Sequence, residues 1–348
     1  MRFGVIGCGV IGEQHATTIR LLAPRSELAV VADPVAERAD RLAGEFATEA
    51  AYSLDAVLAR PDVDVVTLCT PSGMHADAAV AVLEAGKHVI IEKPIDIDLA
   101  AARRVVEAEK RTGRTVMVIS QHRHDPGSQI VHQALEAGRL GTVTSGVGLM
   151  PWWRSQGYYD SGDWRGTVEL DGGGALMNQG IHTVDLLVWF LGEPVEVFAY
   201  TDLLAHERIE VEDTAVATVR FAGGALGVIH GTTAAYPGLS TRVQVHGTRG
   251  SAVIEKDKLV YFHAAGEETV DSPYGAKADN QVDEVLATAP PEPVTTHSIQ
   301  FADFLDAMDD GRPPLVTAEA ATRTLAVIRG IYASAAEGRP VKIKELSE

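Results

Sequence analysis

The sequence is poor in cysteine, in long apolar runs and in positive charge, and each shortage removes a class of protein. Two cysteines, Cys8 and Cys69, are too few for a disulfide framework and suit a reducing cytoplasm. No apolar run approaches the roughly 20 residues that a membrane helix needs. The opening Met1-Arg2-Phe3-Gly4-Val5-Ile6-Gly7 is interrupted by glycine too early to form the core of a secretory signal. A soluble, cytoplasmic protein with no membrane partner is therefore expected. Lys and Arg number 30 against 48 Asp and Glu, a net charge of −18, and no run of five like charges occurs. That balance argues against a nucleic-acid partner, which would need a basic face.

What is present is a chain of 348 residues, long for one hydrophobic core and sufficient for two domains. Apolar residues at 46%, with 33 glycines and 16 prolines spread along the chain, speak against bulk disorder. From residue 1 to 121, short β-branched runs at 3–6, 28–32, 63–69, 88–91 and 115–120 alternate with amphipathic stretches long enough for helices. That alternation predicts an α/β fold, a doubly wound parallel sheet. Asp98 is a suitable N-cap for a helix over 99–111, and Gly113 stands where a helix-ending glycine belongs. From 122 to 348 the pattern changes, and a second domain is expected. It holds a helix at 128–137, a strand at 143–150, an aromatic segment and the run Gly172-Gly173-Gly174. Five extended segments between 195 and 255 predict a mostly antiparallel sheet, 264–293 reads as a loop, and helices are expected at 298–310 and 317–337.

Gly7-Cys8-Gly9-Val10-Ile11-Gly12 matches G-x-G-x-x-G after the first predicted strand and before a helix, the context in which glycines admit a pyrophosphate to a helix N-terminus. Asp33 ends the second predicted strand about 20 residues on, where a carboxylate can bond both ribose hydroxyls and repel a 2′-phosphate. NAD is preferred to NADP on that ground. Asp33 can also cap the helix opened by Asp33-Pro34-Val35.

Three further segments carry a family resemblance: Thr70-Pro71-Ser72-Gly73-Met74-His75, Ala85-Gly86-Lys87-His88-Val89-Ile90-Ile91-Glu92-Lys93-Pro94, and the stretch from Gly172 through Asn178 and His182 to Asp185. In that order and spacing the chain resembles the Gfo/Idh/MocA oxidoreductases, the glucose–fructose oxidoreductase and inositol dehydrogenase group. The resemblance implies a Rossmann domain, a C-terminal α/β domain with a large open sheet, and hydride transfer between nicotinamide and a ring carbon of a sugar, nucleotide-sugar or cyclitol. It assigns Lys93 to the EKP lysine and His182 to the catalytic histidine, and it places Glu92 in the cofactor motif. Asn178 stands where many members carry aspartate. An amide can hydrogen-bond a hydroxyl but cannot hold a proton or stabilise an imidazolium by charge.

Read from the residues themselves, alcohol oxidation needs a base titrating near neutrality, and His182 is the natural one. A helix over 175–191 would put Asn178, His182, Asp185 and Trp189 on one stripe. Lys93 follows an apolar strand, at the sheet edge where open α/β folds bind ligands, and can stabilise a developing alkoxide. Thr70, Pro71 and His75 should border the nicotinamide ribose, His75 serving either as a cofactor contact or as a packing and capping group. Arg123, Trp152, Trp153, Arg154, Tyr158, Tyr159, Trp164 and Arg165 offer aromatic faces and cations for a sugar, or a packed interface. His122, His124 and Asp125 are close in sequence, but no Cys or further His falls at zinc-like spacing, so no metal is expected. If one face of the second sheet is uncovered, a homodimer or homotetramer would cover it. The alternative to an enzyme is a dinucleotide-binding regulator, against which the joint presence of Lys93 and His182 speaks.

Overall fold

A computed structural model describes residues 1–266, 279–287 and 295–347. The chain divides into two compact units. The first contains residues 1–121, 169–172 and 293–325, and the second contains 122–168, 173–292 and 326–348. The expected second domain, 122–348, is thus not one continuous piece: the chain returns twice to the first unit.

In the first unit, strands β1 (Arg2–Ile6), β2 (Glu27–Ala32), β3 (Glu49–Ala51), β4 (Val65–Leu68), β5 (His88–Ile91) and β6 (Val116–Val118) form one parallel sheet in the order β3-β2-β1-β4-β5-β6. Every residue of β4 is buried, as a parallel strand covered on both faces requires. The edge strand β3 escapes sequence reading because Glu-Ala-Ala carries no β-branched signal. Helix Leu99–Thr112 ends as its caps dictate: Asp98 accepts a hydrogen bond from the Ala101 N–H at 2.8 Å, and Gly113 takes φ +66°. Helix Thr296–Asp310 completes this unit, with Phe301 6.2 Å from Phe3 in one buried apolar cluster.

The second unit is built on an eight-stranded sheet of β7 (Val143–Pro151), β8 (Pro194–Asp202), β9 (Thr214–Phe221), β10 (Leu226–Thr232), β11 (Arg242–Gly247), β12 (Gly250–Glu255), β13 (Lys258–Ala264) and β14 (Val341–Lys342), in the order β13-β12-β11-β7-β10-β9-β8-β14. Among the described residues of this unit, only the β7–β10 pair is parallel. Buried and exposed residues alternate along β9, so one face meets the core and the other does not. On the core side helix Ile181–Leu191 lies close to β7, and glycines allow it: a Cβ on Gly146 would stand 2.8 Å from Leu191 Cδ1, and one on Gly148 3.1 Å from Thr183 Cγ2. This close approach fixes the helix that carries His182. The loop expected over 264–293 falls largely outside the described residues, whose part of it includes helix Val282–Leu286. No helix among the described residues is long and apolar enough to cross a membrane.

Candidate functional site

In the first unit the glycine motif forms the turn from β1 into helix Val10–Leu21. Gly7 has φ +94°, and a Cβ there would come within 2.5 Å of the Cys69 carbonyl oxygen. A Cβ on Gly12 would collide with the Gly7 carbonyl oxygen. Asp33 is buried and fastens the same turn, accepting from the Cys8 N–H and the Val35 N–H, both at 2.9 Å. Each carboxylate oxygen keeps a further lone pair. Its capping bond goes to Val35, itself the N-cap of helix Ala36–Phe46.

Along the carboxyl edge of this sheet, His75 is 1% exposed, with Nδ1 2.7 Å from the Pro94 carbonyl oxygen and Nε2 2.9 Å from that of Thr70. Both ring nitrogens are spent on main chain, so His75 is a strut between two loops. Lys93 is half-buried just beyond β5, and its N–H donates to Glu92 Oε2 at 3.0 Å. The Glu92 carboxylate is itself buried, with Oε1 3.0 Å from His15 Nε2 and 3.4 Å from His297 Nε2. Burial alone would raise its pKa, but the two imidazoles bonded to it outweigh burial and hold it well below the usual value of 4.5. Burial in turn lowers the His15 pKa, so His15 donates as a neutral ring. Glu92 is therefore bonded inside the protein, where it holds the main chain of Lys93.

In the second unit the chain does not form one helix over 175–191. Residues Ala175–Gly180 form a π-helical turn, and the α-helix begins at Ile181. Glu212 explains the turn. It is buried, accepts from the Gly174 and Leu176 N–H groups at 2.8 and 2.9 Å and from the Tyr332 hydroxyl at 3.0 Å, and a Cβ on Gly174 would collide with its carbonyl oxygen. The Gly-rich run thus makes room for a carboxylate that satisfies the free N–H groups of the turn.

The expected stripe is divided. His182 lines a cavity of about 100 Å³ together with His122, Gln179, Arg242 and Asp257, its ring meeting that of His122 edge to face at 5.1 Å. Asp185, by contrast, is 3% exposed and forms a two-pronged pair with the equally buried Arg123, 2.7 Å on each arm. The pair is internal: a buried guanidinium needs a carboxylate, and removing either partner typically costs about 3–5 kcal/mol. Trp189 stacks on His132 at 3.9 Å.

Known proteins resemble this chain along nearly its whole length. The family model described as "Oxidoreductase family, NAD-binding Rossmann fold" matches residues 1–120, and the GFO/IDH/MocA C-terminal domain matches 128–253. The WlbA dehydrogenase from Bordetella pertussis, solved in complex with NADH and UDP-GlcNAcA, is 31% identical with a TM-score of 0.87, over 98% of this chain and 97% of that one. The chain belongs to the Gfo/Idh/MocA family of oxidoreductases. It is 28% identical to inositol 2-dehydrogenase of Rhizobium meliloti strain 1021, over 95% of this chain and 98% of the relative. To scyllo-inositol 2-dehydrogenase (NAD(+)) of Bacillus subtilis strain 168 it is 27% identical, over 99% and 96%.

This family member is an NAD-dependent enzyme, and its Rossmann turn fits the cofactor. A Cβ on Gly9 would meet nothing within 4 Å, so the chain's own packing does not require glycine there and the space is left for a ligand. Val10, at the helix N-terminus, is 84% exposed, and Ile11 is 39% exposed. Thr70 Oγ1 is buried with no hydrogen-bond partner among the described residues. Gly7, Gly9, Gly12, Asp33 and Thr70 would hold NAD, which when bound supplies the hydride acceptor.

Near the second-unit cavity, the Tyr158 hydroxyl accepts from Arg165 and from Gln179 at 2.7 Å each, and Arg154 donates to Gln179 at 3.1 Å while lying over Trp152. Arg165 also covers Trp164, and Trp153 is 39% exposed beside Tyr236. Tyr159 is buried, bonds Thr233, and has its pKa pushed by burial to about 12, which marks it as packing. Sequence reading did not single out His15, His297, Glu212, Arg242 or Asp257. No local motif surrounds them, and His15 lies 77 residues from its partner Glu92.

Proposed function

We propose that the chain oxidises a secondary alcohol on a ring carbon of a sugar, nucleotide-sugar or cyclitol, using NAD in preference to NADP. His182 takes the hydroxyl proton, Lys93 supplies a cation to the developing alkoxide, and Asn178 hydrogen-bonds the substrate. The observation that carries this reading is His182 lining a cavity with His122, Gln179 and Asp257 in a member of a family whose named relatives are inositol and nucleotide-sugar dehydrogenases. Arg154, Tyr158, Trp153, Trp164 and Arg165 offer the aromatic and cationic surface that a carbohydrate ring uses. The buried Asp33 favours NAD because a second anion, the 2′-phosphate, would sit against it. The test is the appearance of reduced-cofactor absorbance over a panel of inositols, free sugars and UDP-linked sugars. Turnover with at least one member is expected. Tight NADH binding with no turnover anywhere would make the chain a regulator instead.

The partner in solution is a second copy. Tyr200, Leu226 and Val216 are 71%, 51% and 47% exposed on the outer face of the eight-stranded sheet, which supports a homodimer or homotetramer in a reducing cytoplasm. Sedimentation as a lone 37.0 kDa species at micromolar concentration would refute that.

A further inference from the structure

Three half-buried arginines of the second unit gather at the His182 cavity, and none has an ion-pair partner among the described residues. Arg242, on β11, lines the cavity itself, and its buried Nε has no hydrogen-bond partner there. Arg154 lies 4.8 Å over Trp152 and donates to Gln179 Oε1 at 3.1 Å, and both of those residues line the same cavity. Its Nε is also buried without a partner among the described residues. Arg165 connects to Gln179 through the Tyr158 hydroxyl, which accepts from each at 2.7 Å. Rings and guanidinia alternate in the order Trp152, Arg154, Tyr158, Arg165, Trp164, at successive separations of 4.8, 5.3, 4.4 and 4.5 Å.

This arrangement holds positive charge in place without neutralising it. Ring faces grip a guanidinium through its plane and leave the N–H groups at its edge available. Of five such donors, Arg154 spends two, on Trp153 O and Gln179, and Arg165 spends one, on Tyr158. Carboxylates are not scarce in a chain with 48 acidic residues against 30 basic ones. Arg123, in the same unit, shows how a structural arginine is treated, with both arms taken by Asp185. Asp257 lines the cavity beside Arg242 but pairs instead with His122, 3.5 Å away. A guanidinium kept from water and from a counter-ion gains when an anion arrives, and its planar fork matches carboxylate and phosphate oxygens.

We propose that the substrate sugar carries an anionic group, a carboxylate or a phosphate, and that Arg154, Arg165 and Arg242 bind it beside the ring carbon served by His182. This rests on the dehydrogenase reading above and narrows it: neutral inositols and unmodified sugars become poor substrates.

The experiment compares kcat/KM for each neutral sugar of the panel with that of its uronate and its 1-phosphate. In the unmutated enzyme at least one charged form should lead its parent by roughly tenfold or more, and added salt should raise the KM of that form more than that of the parent. Which form leads distinguishes carboxylate from phosphate. Arg242→Gln and Arg154→Gln should each raise KM for the charged form roughly tenfold with kcat within about twofold, and Arg242→Lys should keep part of the preference. The salt dependence of the unmutated enzyme tests the same charge should a variant fail to fold. Equal kcat/KM for parent and charged forms, or a lead indifferent to salt, would overturn the proposal. So would a loss of NADH affinity in the variants, which would give the cations to the cofactor's phosphates. Oxidation of neutral inositols ahead of every charged sugar would overturn the anion site and leave the dehydrogenase reading standing. Calorimetric binding of glucuronate or glucose 1-phosphate to the NADH-loaded protein, weakened by Arg242→Gln but with no oxidation of any sugar, would uphold the anion site and overturn the dehydrogenase reading.

Discussion

The turn after β1 and the cavity lined by His182 are two ways of making a site. The first is made of main chain: Gly7 at φ +94°, Gly12 against the Gly7 carbonyl, and a carboxylate that grips two N–H groups of the turn and its neighbour. Its parts lie within a short stretch plus Asp33. The second is made of side chains brought from segments around residues 122–125, 179–186 and 241–257, on a helix, two strands and a turn. Backbone sites demand particular residue types at fixed spacing, because only glycine tolerates the conformation or the contact. Side-chain sites demand only that the fold converge, and many residue types can do that.

If the cavity is where proton chemistry occurs, its variants should fail in turnover and spare binding. His182→Ala is expected to lower kcat by roughly 10²-fold or more, with NADH affinity measured by fluorescence nearly unchanged. Lys93→Ala should act similarly through loss of the cation at the alkoxide. Near-normal turnover of His182→Ala across pH would remove the histidine as base and pass the role to Lys93 or to Tyr158.

The glycine turn should behave in the opposite way, and two alanines within it separate ligand space from packing. Gly12→Ala drives a methyl group into the Gly7 carbonyl and should cost roughly 1–3 kcal/mol of stability as well as cofactor affinity. Gly9→Ala meets nothing in the protein, so thermal stability should stay within about 0.5 kcal/mol while NADH binding weakens roughly tenfold. A Gly9→Ala protein that binds NADH normally would show that the open space is not the pyrophosphate's.

The same contrast governs how much could be read beforehand. The parallel sheet, the glycine turn after β1 and the caps of Leu99–Thr112 follow from local chemistry and are legible in the sequence. The stripe over 178, 182, 185 and 189 was drawn on an ideal helix, and Glu212 widens its first turn while Arg123 draws Asp185 into the interior. Arg123 and Asp185 are 62 residues apart, and nothing local marks them as a pair. The histidines that bond Glu92, His15 and His297, come from opposite ends of the chain, and nothing local to Glu92 marks them.

Asp33 belongs to both kinds of site, which makes its substitution the finest test of the comparison. Its carboxylate fastens the turn through the Cys8 and Val35 N–H groups, and in the proposed complex it would also present negative charge to the adenosine ribose. Asp33→Asn keeps the shape but replaces one acceptor oxygen by a donor and removes the charge. Damage to the turn would weaken NADH and NADPH alike, so their ratio isolates the charge. Losing a charge-assisted bond to the ribose should cost NADH about 1 kcal/mol, roughly fivefold, while NADPH gains from relief of repulsion with its 2′-phosphate. Parallel fluorescence titrations should therefore show the preference for NADH shrinking in Asp33→Asn. An equal loss for both cofactors would reduce Asp33 to a fastener of the turn and leave the preference to be set by another residue.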